Sequence, residues 1–185
     1  MSFKEKRDRL FRKGRPHIRL LQIYDGDKQA SYHKDVGVLW VGHLKSPFAW
    51  LKENLEQVQF AQAIEEIYRG EDLLIVEDDN RHFKNKKGPV ALVSLRNDGW
   101  KYEPHVQFMP WVTKKNILRV SVAFLQYVRY SKKVGCIVVF SLNDSVALFD
   151  KCCEYGVLHR VGMIPNGDSR GDEFLYTIKG KRPCQ

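Results

Sequence analysis

The sequence predicts a mixed α/β domain, and three observations predict it. Short apolar runs of strand length, Leu73–Val76 (LLIV), Val90–Leu95 (VALVSL) and Cys136–Phe140 (CIVVF), are each bounded by turn or polar residues. Two longer segments, within Leu51–Tyr68 and Thr113–Tyr130, carry apolar residues at helical spacing with polar residues on the opposite face. The segments follow the order strand, helices, three strands, helix, strand, helix and one or two closing strands. Three strands in a row suit an antiparallel meander, and the later strand–helix–strand units add parallel pairing. At 185 residues and 43% hydrophobic content, the chain can bury one good core.

Met1–Arg15 reads as a basic arm, helical or disordered, with Lys4, Lys6, Arg7, Arg9, Arg12, Lys13 and Arg15, and no apolar signal-peptide core follows it. His17–Tyr24 is the first strand and Asp25-Gly26-Asp27 its turn. Asp35–His43 fits either a strand or a short helix, since so short a run has no decisive period. Ser46-Pro47 then opens a helix. Leu51, Leu55, Val58, Gln62 and Ile64–Tyr68 form its inner stripe, Glu53, Glu56, Glu65 and Glu66 stand outside, and Gly70 stops it. Leu73–Val76 pairs with Val90–Leu95 across a polar turn from Asp78 to Gly88. The acidic run Glu77, Asp78 and Asp79 reads as a solvated part of that loop rather than a metal site, because Lys and Arg residues are interleaved with it.

Asn97-Asp98-Gly99 turns the chain into the strand Tyr102–Trp111, which Pro110, lacking an N–H, releases from its neighbour. The helix from about Thr113 to Tyr130 carries Ile117, Val120, Ser121, Phe124 and Val128 on one face, and Lys132, Lys133 and Gly135 suit its end. After the strand Cys136–Phe140, Asn143, Asp144 or Ser145 caps a helix that turns Val146, Leu148, Phe149, Cys152 and Cys153 inward and ends at Gly156. Val157–Ile164 is extended, Pro165–Arg170 is a turn, and Phe174–Ile178 is the last strand.

The net charge of +9 favours an acidic partner, either nucleic acid or an anionic cofactor. The arm from Lys4 to Arg15 is a candidate docking element for DNA, RNA or a protein, although no aromatic residues are interleaved to make a stacking platform. No apolar run is long enough to span a bilayer, so no membrane partner is expected. The four cysteines, Cys136, Cys152, Cys153 and Cys184, include no CxxC pair, which argues against a zinc knuckle. Reduced thiols suit a cytoplasmic or intravirion protein.

One stretch carries candidate chemistry. A strand ending in Pro110 passes straight into a helix at Thr113, and the first turn of a helix presents unpaired N–H groups that suit a phosphate. Thr113 is a candidate N-cap, and Lys114 and Lys115 add positive charge beside it. An ordinary strand-to-helix connection with a solvated lysine pair has the same sequence pattern.

The order of elements from His17 onward is similar to that of the GCN5-related N-acetyltransferase (GNAT) fold. More narrowly, DVGVLW, GPVALV, PHVQFMPWVTKKNIL and NGDSRGDEFLYTIKGK resemble divergent acetyltransferase-like proteins of tailed bacteriophages. The resemblance implies an arm over residues 1–16 and a single domain over 17–185, with an antiparallel first half, splayed parallel strands and helices on both faces. It makes Asp35–His43 a helix capped by Asp35. It places acyl-CoA where the fourth and fifth strands part, with the strand Val106–Trp111 along the pantetheine arm and the pyrophosphate on the helix start. Phe108, Met109, Trp111, Val112, Thr113, Lys114, Lys115 and Asn116 are thereby implied to bind acetyl-CoA.

Two departures stand out. The family's Arg/Gln-x-x-Gly-x-Gly/Ala turn has no glycine here between Trp111 and Asn116. The family's Tyr acid, five residues before the Phe of a Gly-Phe pair, falls on Cys152 when Gly156-Val157 is matched to that pair. Glu103 and His105 are the candidate bases near the splayed strand. The implied activity is transfer of an acetyl group from acetyl-CoA to an amine on an unknown protein or small molecule. The alternatives are a catalytically silent phage protein of this fold, structural in the virion or binding a host partner, and nucleic-acid binding through the arm.

Overall fold

In a computed structural model of the chain, the described residues are 1–21, 29–48, 51–79, 87–97, 101–131, 136–168 and 171–179. They form, in order, α1 (Phe3–Leu10), β1 (His17–Leu20), α2 (Gln29–Lys45), α3 (Gln57–Gly70), β2 (Glu71–Asp79), β3 (Lys87–Asn97) and β4 (Lys101–Phe108). α4 (Lys114–Ser131), β5 (Cys136–Leu142), α5 (Asn143–Cys153), β6 (His159–Asp168) and β7 (Gly171–Lys179) complete the chain. The sheet order is β1-β2-β3-β4-β5-β7-β6. β4 and β5 are the parallel pair, and among the described residues their register covers Lys101↔Cys136 and Tyr102↔Ile137, two of the eight residues of β4. β5–β7 and β7–β6 are antiparallel, so the expected second parallel unit through α5 does not form.

The chain divides into two compact units, with the division inside β4 between Pro104 and His105. One holds residues 1–15, 97–104 and 114–185, the other residues 16–96 and 105–113. In the second unit β2 and β3 are apolar on both faces, as a strand covered on both sides must be. Leu73, Ile75 and Leu92 enter the same core as Val36 and Leu39 of α2 and Phe60 and Ile64 of α3. Fully burying a side chain the size of Phe60 or Ile64 contributes about 1.5–3 kcal/mol.

Four expectations fail in this unit, wholly or in part. The helix expected from Ser46-Pro47 starts only at Gln57. Glu56 sits at its N-cap position, where its backbone N–H donates to the side-chain oxygen of Gln59 at 3.1 Å. The buried His43 explains the delay. Its Nδ1 accepts the Phe48 N–H at 3.1 Å and its Nε2–H donates to the Lys52 carbonyl at 3.0 Å, so the ring replaces the hydrogen bonds that a helix would have made. Phe48 and Phe60 pack against the same ring. The expected stripe holds at Ile64 but not at Val58 and Gln62, which face solvent, and Phe60, outside the stripe, faces inward. Asp35 lies inside α2 rather than capping it. Glu77, Asp78 and Asp79 extend β2 instead of lying in a solvated loop, and Asp78 is buried. The turns expected at 25–27 and at 98–99 fall outside the described residues, as do Lys132, Lys133 and Gly135.

In the first unit α4 is buried nearly all round. Val120, Val122, Ala123, Phe124, Leu125 and Val128 join the buried polar residues Ser121 and Gln126. α5 begins at Asn143, directly after β5, so the expected cap residues are already inside or at the helix start. Pro165–Asp168, expected as a turn, belongs to β6, the last strand of the sheet order, with register irregularities at Arg160/Gly162 and Ile164/Asp168. Asn166, at a φ of 50°, takes the left-handed conformation there, and its N–H donates to the Asp172 carboxylate.

Candidate functional site

The end of β4 is built into the core of the second unit. Met109 N–H donates to the Val90 carbonyl and Val112 N–H to the Met109 carbonyl, both at 3.0 Å, which closes a turn over Met109–Val112. The Trp111 indole Nε1–H donates to the Pro89 carbonyl at 2.8 Å. α2 approaches this turn through Gly42. A Cβ on Gly42 would lie 2.6 Å from Met109 Sδ and 3.4 Å from the Trp111 ring. Met109 is 2% exposed, and Trp111 and Val112 pack against the same apolar cluster. The Met109 side chain is therefore committed to the core, and Trp111 and Val112 are half-buried against it. Phe108 is half-buried.

The start of α4 has the opposite character. Thr113, Lys114 and Lys115 are exposed and Asn116 is half-buried. The first turn of α4 contains no acidic residue. The first four N–H groups of a helix have no intrahelical acceptor, and its N-terminal end carries partial positive charge. Two lysines in the first turn add to that charge instead of balancing it, an arrangement that an anion relieves. The donor set thus fits a phosphate in charge.

The catalytic candidates fare unequally. Glu103 is half-buried and His105 exposed, two residues apart on β4. Cys152, placed by the resemblance where the family has its acid, is fully buried, and burial pushes its thiol up to about 12. A thiol so shielded and so weakly acidic does not serve proton transfer near neutral pH, and Cys152 is corrected to a core residue. Tyr155 is half-buried, and its carbonyl accepts a hydrogen bond from Arg7 Nη1 at 2.7 Å. Tyr176 of β7 is fully buried, with its hydroxyl donating to Asp150 Oδ1 at 2.8 Å.

Sequence reasoning missed two positioning features. Gly42 was legible only as a glycine within an apolar run, a pattern that can mark close backbone approach. The second feature is an ion cluster in the second unit. Arg19 of β1 bridges Asp35 of α2 at 2.7 Å and Glu77 of β2 at 2.9 Å, and His17 Nδ1 lies 3.0 Å from the Glu77 carboxylate. Burial alone would raise Glu77, but the hydrogen bonds from His17 and Arg19 outweigh it and hold its carboxyl below the ordinary value. Among the described residues no group of His, Cys, Asp and Glu could hold a metal ion, and no helix is long and apolar enough to cross a membrane.

No protein-family profile matches the chain, and no curated protein matches it in sequence. Solved structures do. A chimera of the spermidine N-acetyltransferase SpeG from Vibrio cholerae and hSSAT is 15% identical, with a TM-score of 0.60 over 90% of this chain and 96% of that one. AAC(6')-Ib in complex with paromomycin and acetyl-CoA is 11% identical, with a TM-score of 0.61 over 89% of this chain and 93% of that one. The aminoglycoside acetyltransferase AAC(6')-Ib in complex with coenzyme A gives a TM-score of 0.60 at 11% identity over 89% and 94%. At these identities the likeness shows the fold, which is that of the GNAT acetyltransferases.

Proposed function

We propose that this GNAT-fold chain transfers an acetyl group from acetyl-CoA to an amine. The observation that carries the reading is the fold match over about nine-tenths of the chain to acetyltransferases determined with coenzyme A or acetyl-CoA, in a chain whose α4 starts with exposed cations and no acid. Acetyl-CoA, when bound, supplies the activated thioester. The first-turn amides of α4, with Thr113, Lys114 and Lys115, hold the pyrophosphate. The Trp111–Pro89 and Met109–Val90 hydrogen bonds keep the end of β4 in place within its own unit. His105 or Glu103 takes the proton that the attacking amine gives up, directly or through water. Direct attack of the amine on the thioester forms the C–N bond and breaks the C–S bond, with no covalent enzyme intermediate, so positioning is the main demand on the protein.

Release of free thiol from acetyl-CoA tests this, with spermidine and paromomycin as trial amines and the His105→Gln variant as control. Amine-dependent thiol release that falls in the variant supports the reading; no release with any amine, together with no acetyl-CoA binding by calorimetry, overturns it.

A second reading is a catalytically silent binding protein on the same fold, in a virion or directed at a host partner. The glycine-free stretch from Trp111 to Asn116 and the burial of Cys152 favour it. Acetyl-CoA binding without turnover is its expected signature if the cofactor site survives, and a protein that binds no acetyl-CoA is its signature if the site is lost.

A further inference from the structure

We propose that residues 1–15 form an ordered cationic platform that binds the phosphate backbone of nucleic acid without reading its sequence. The segment is not a loose tail. Ser2 and Glu5 close a capping box at the start of α1: the Glu5 N–H donates to Ser2 Oγ at 3.2 Å and the Ser2 N–H to the Glu5 carboxylate at 2.7 Å. Arg7 holds the Tyr155 carbonyl, Phe11 is buried, and Arg119 of α4 donates to the Gly14 carbonyl at 2.8 Å. Phe3 rests against Gly156, whose φ of +67° and lack of a side chain make room for the ring; a Cβ there would come within 2.8 Å of it. Both ends and the middle of the segment are thus fixed to the first unit.

What this anchoring presents outward is charge. Lys4, Arg9, Arg12 and Lys13 are exposed, and the side chain of none of them makes a hydrogen bond or ion pair with a described residue. Arg15 is exposed with its guanidinium over the Phe11 ring, 4.9 Å from its centre. Against the seven cations of residues 1–15 stand two acids, and one of these, Glu5, is used in the capping box. Lys4 and Arg9 lie on α1, roughly 7.5 Å apart along its axis at 1.5 Å per residue, and Arg12 and Lys13 follow in the turn after it. A run of exposed cations held on one anchored segment suits a polyanion.

The same face argues against the other anionic partners. A helix that lies on a membrane needs an apolar face to insert, and here Phe11 is turned into the protein. The exposed apolar residues Met1 and Phe3 stand ahead of the cations rather than among them. A protein–protein interface would be expected to carry a central aromatic anchor, and none lies between Lys4 and Lys13 on the outer face. The absence of exposed aromatics there also argues for backbone contact over base stacking. The platform lies outside the residues assigned to acetyl-CoA, so either can fail without the other.

The test is fluorescence anisotropy of the full chain with a labelled random-sequence DNA duplex of about 30 base pairs, between about 50 and 200 mM salt. Contacts from Lys4, Arg9, Arg12 and Lys13 predict a slope of log affinity against log salt of about −4, a loss of roughly 100-fold or more over that range. The variant Lys4→Gln, Arg9→Gln, Arg12→Gln, Lys13→Gln changes exposed positions alone, two of them on α1 and two in the turn after it, and its melting temperature and circular dichroism verify the fold. Its slope is expected to flatten toward zero and its affinity at the lower salt to fall at least about ten-fold. The charge-keeping set Lys4→Arg, Arg9→Lys, Arg12→Lys, Lys13→Arg is expected to retain both. Failure of the wild-type chain to bind the duplex overturns the proposal. So does unchanged affinity in the glutamine variant, or tighter binding to phosphatidylserine vesicles or to poly-glutamate than to the duplex.

Discussion

On one side of Thr113 the residues Met109, Trp111 and Val112 pack against an apolar core, with Met109 and Trp111 pinned by hydrogen bonds to β3; on the other, Lys114 and Lys115 stand exposed at the start of α4. The two stretches are consecutive in the chain, and the resemblance implies one cofactor role for both. Their environments separate the roles. The first fixes where the turn lies. The second provides the charge and the amides that a phosphate would meet. Changes to the first should therefore alter stability more than cofactor affinity, and changes to the second the reverse.

Gly42→Val is the strongest way to break this contrast. The new side chain meets Met109 Sδ and the Trp111 ring inside a packed cluster, and overpacking of this kind costs about 2 kcal/mol. Thermal unfolding should show a fall of about 4–8 °C. An unchanged melting temperature would mean the contact between α2 and the turn is loose.

Lys114→Gln with Lys115→Gln should do the opposite. Cations at a helix N-terminus are unfavourable by about 0.3–1 kcal/mol each, so the cofactor-free protein should be as stable or slightly more stable. Its affinity for coenzyme A by calorimetry should fall about 3- to 10-fold, the loss of two partly exposed charge contacts. A destabilised variant with unchanged affinity would reverse the assignment.

Cys152→Ala should cost about 1 kcal/mol in unfolding experiments, as expected for truncating a small buried side chain, and leave any acetyl transfer at its wild-type rate. A large loss of turnover in a folded variant would return Cys152 to the catalytic set.

Glu77 gives the smallest effect and a pH signature. Its folded-state pKa lies below its ordinary 4.5, so its contribution is present above 4.5 and is lost as pH falls below that value through the folded-state pKa. Glu77→Gln should lower stability near neutral pH by at most about 1 kcal/mol, since the site is partly solvated. The gap from wild type should narrow as pH falls below 4.5 and through the folded-state pKa. A gap that widens on acidification would contradict the pairing with Arg19 and His17.

Much of the fold was legible because its strongest elements carry their own periodicity. β2, β3, α4 and β5 follow directly from apolar runs and helical spacing. The segment before α3 was not legible, because a single buried imidazole, His43, satisfies backbone groups at Phe48 and Lys52 and no local pattern announces it. β6 was misread because Pro165, Asn166 and Gly167 carry turn chemistry, which an edge strand tolerates through irregular register. At the candidate site, the position of the α4 start was legible from Pro110 and the polar residues after it. The commitment of Met109 and Trp111 was not. An apolar residue at a strand end suits a ligand wall and a core equally well, and here the choice is made by Gly42, far away in sequence.

The most direct measurement is the melting temperature of the wild-type chain and of Lys114→Glu, Lys115→Glu, each with and without about 1 mM acetyl-CoA. If acetyl-CoA binds the folded state with a Kd near 10 μM, linkage adds about 2.7 kcal/mol, a rise of roughly 5–11 °C. The wild-type chain should show that rise and the charge-reversed variant little or none. A wild-type melting temperature that acetyl-CoA does not move, or an equal rise in both proteins, would contradict a pyrophosphate site at the start of α4.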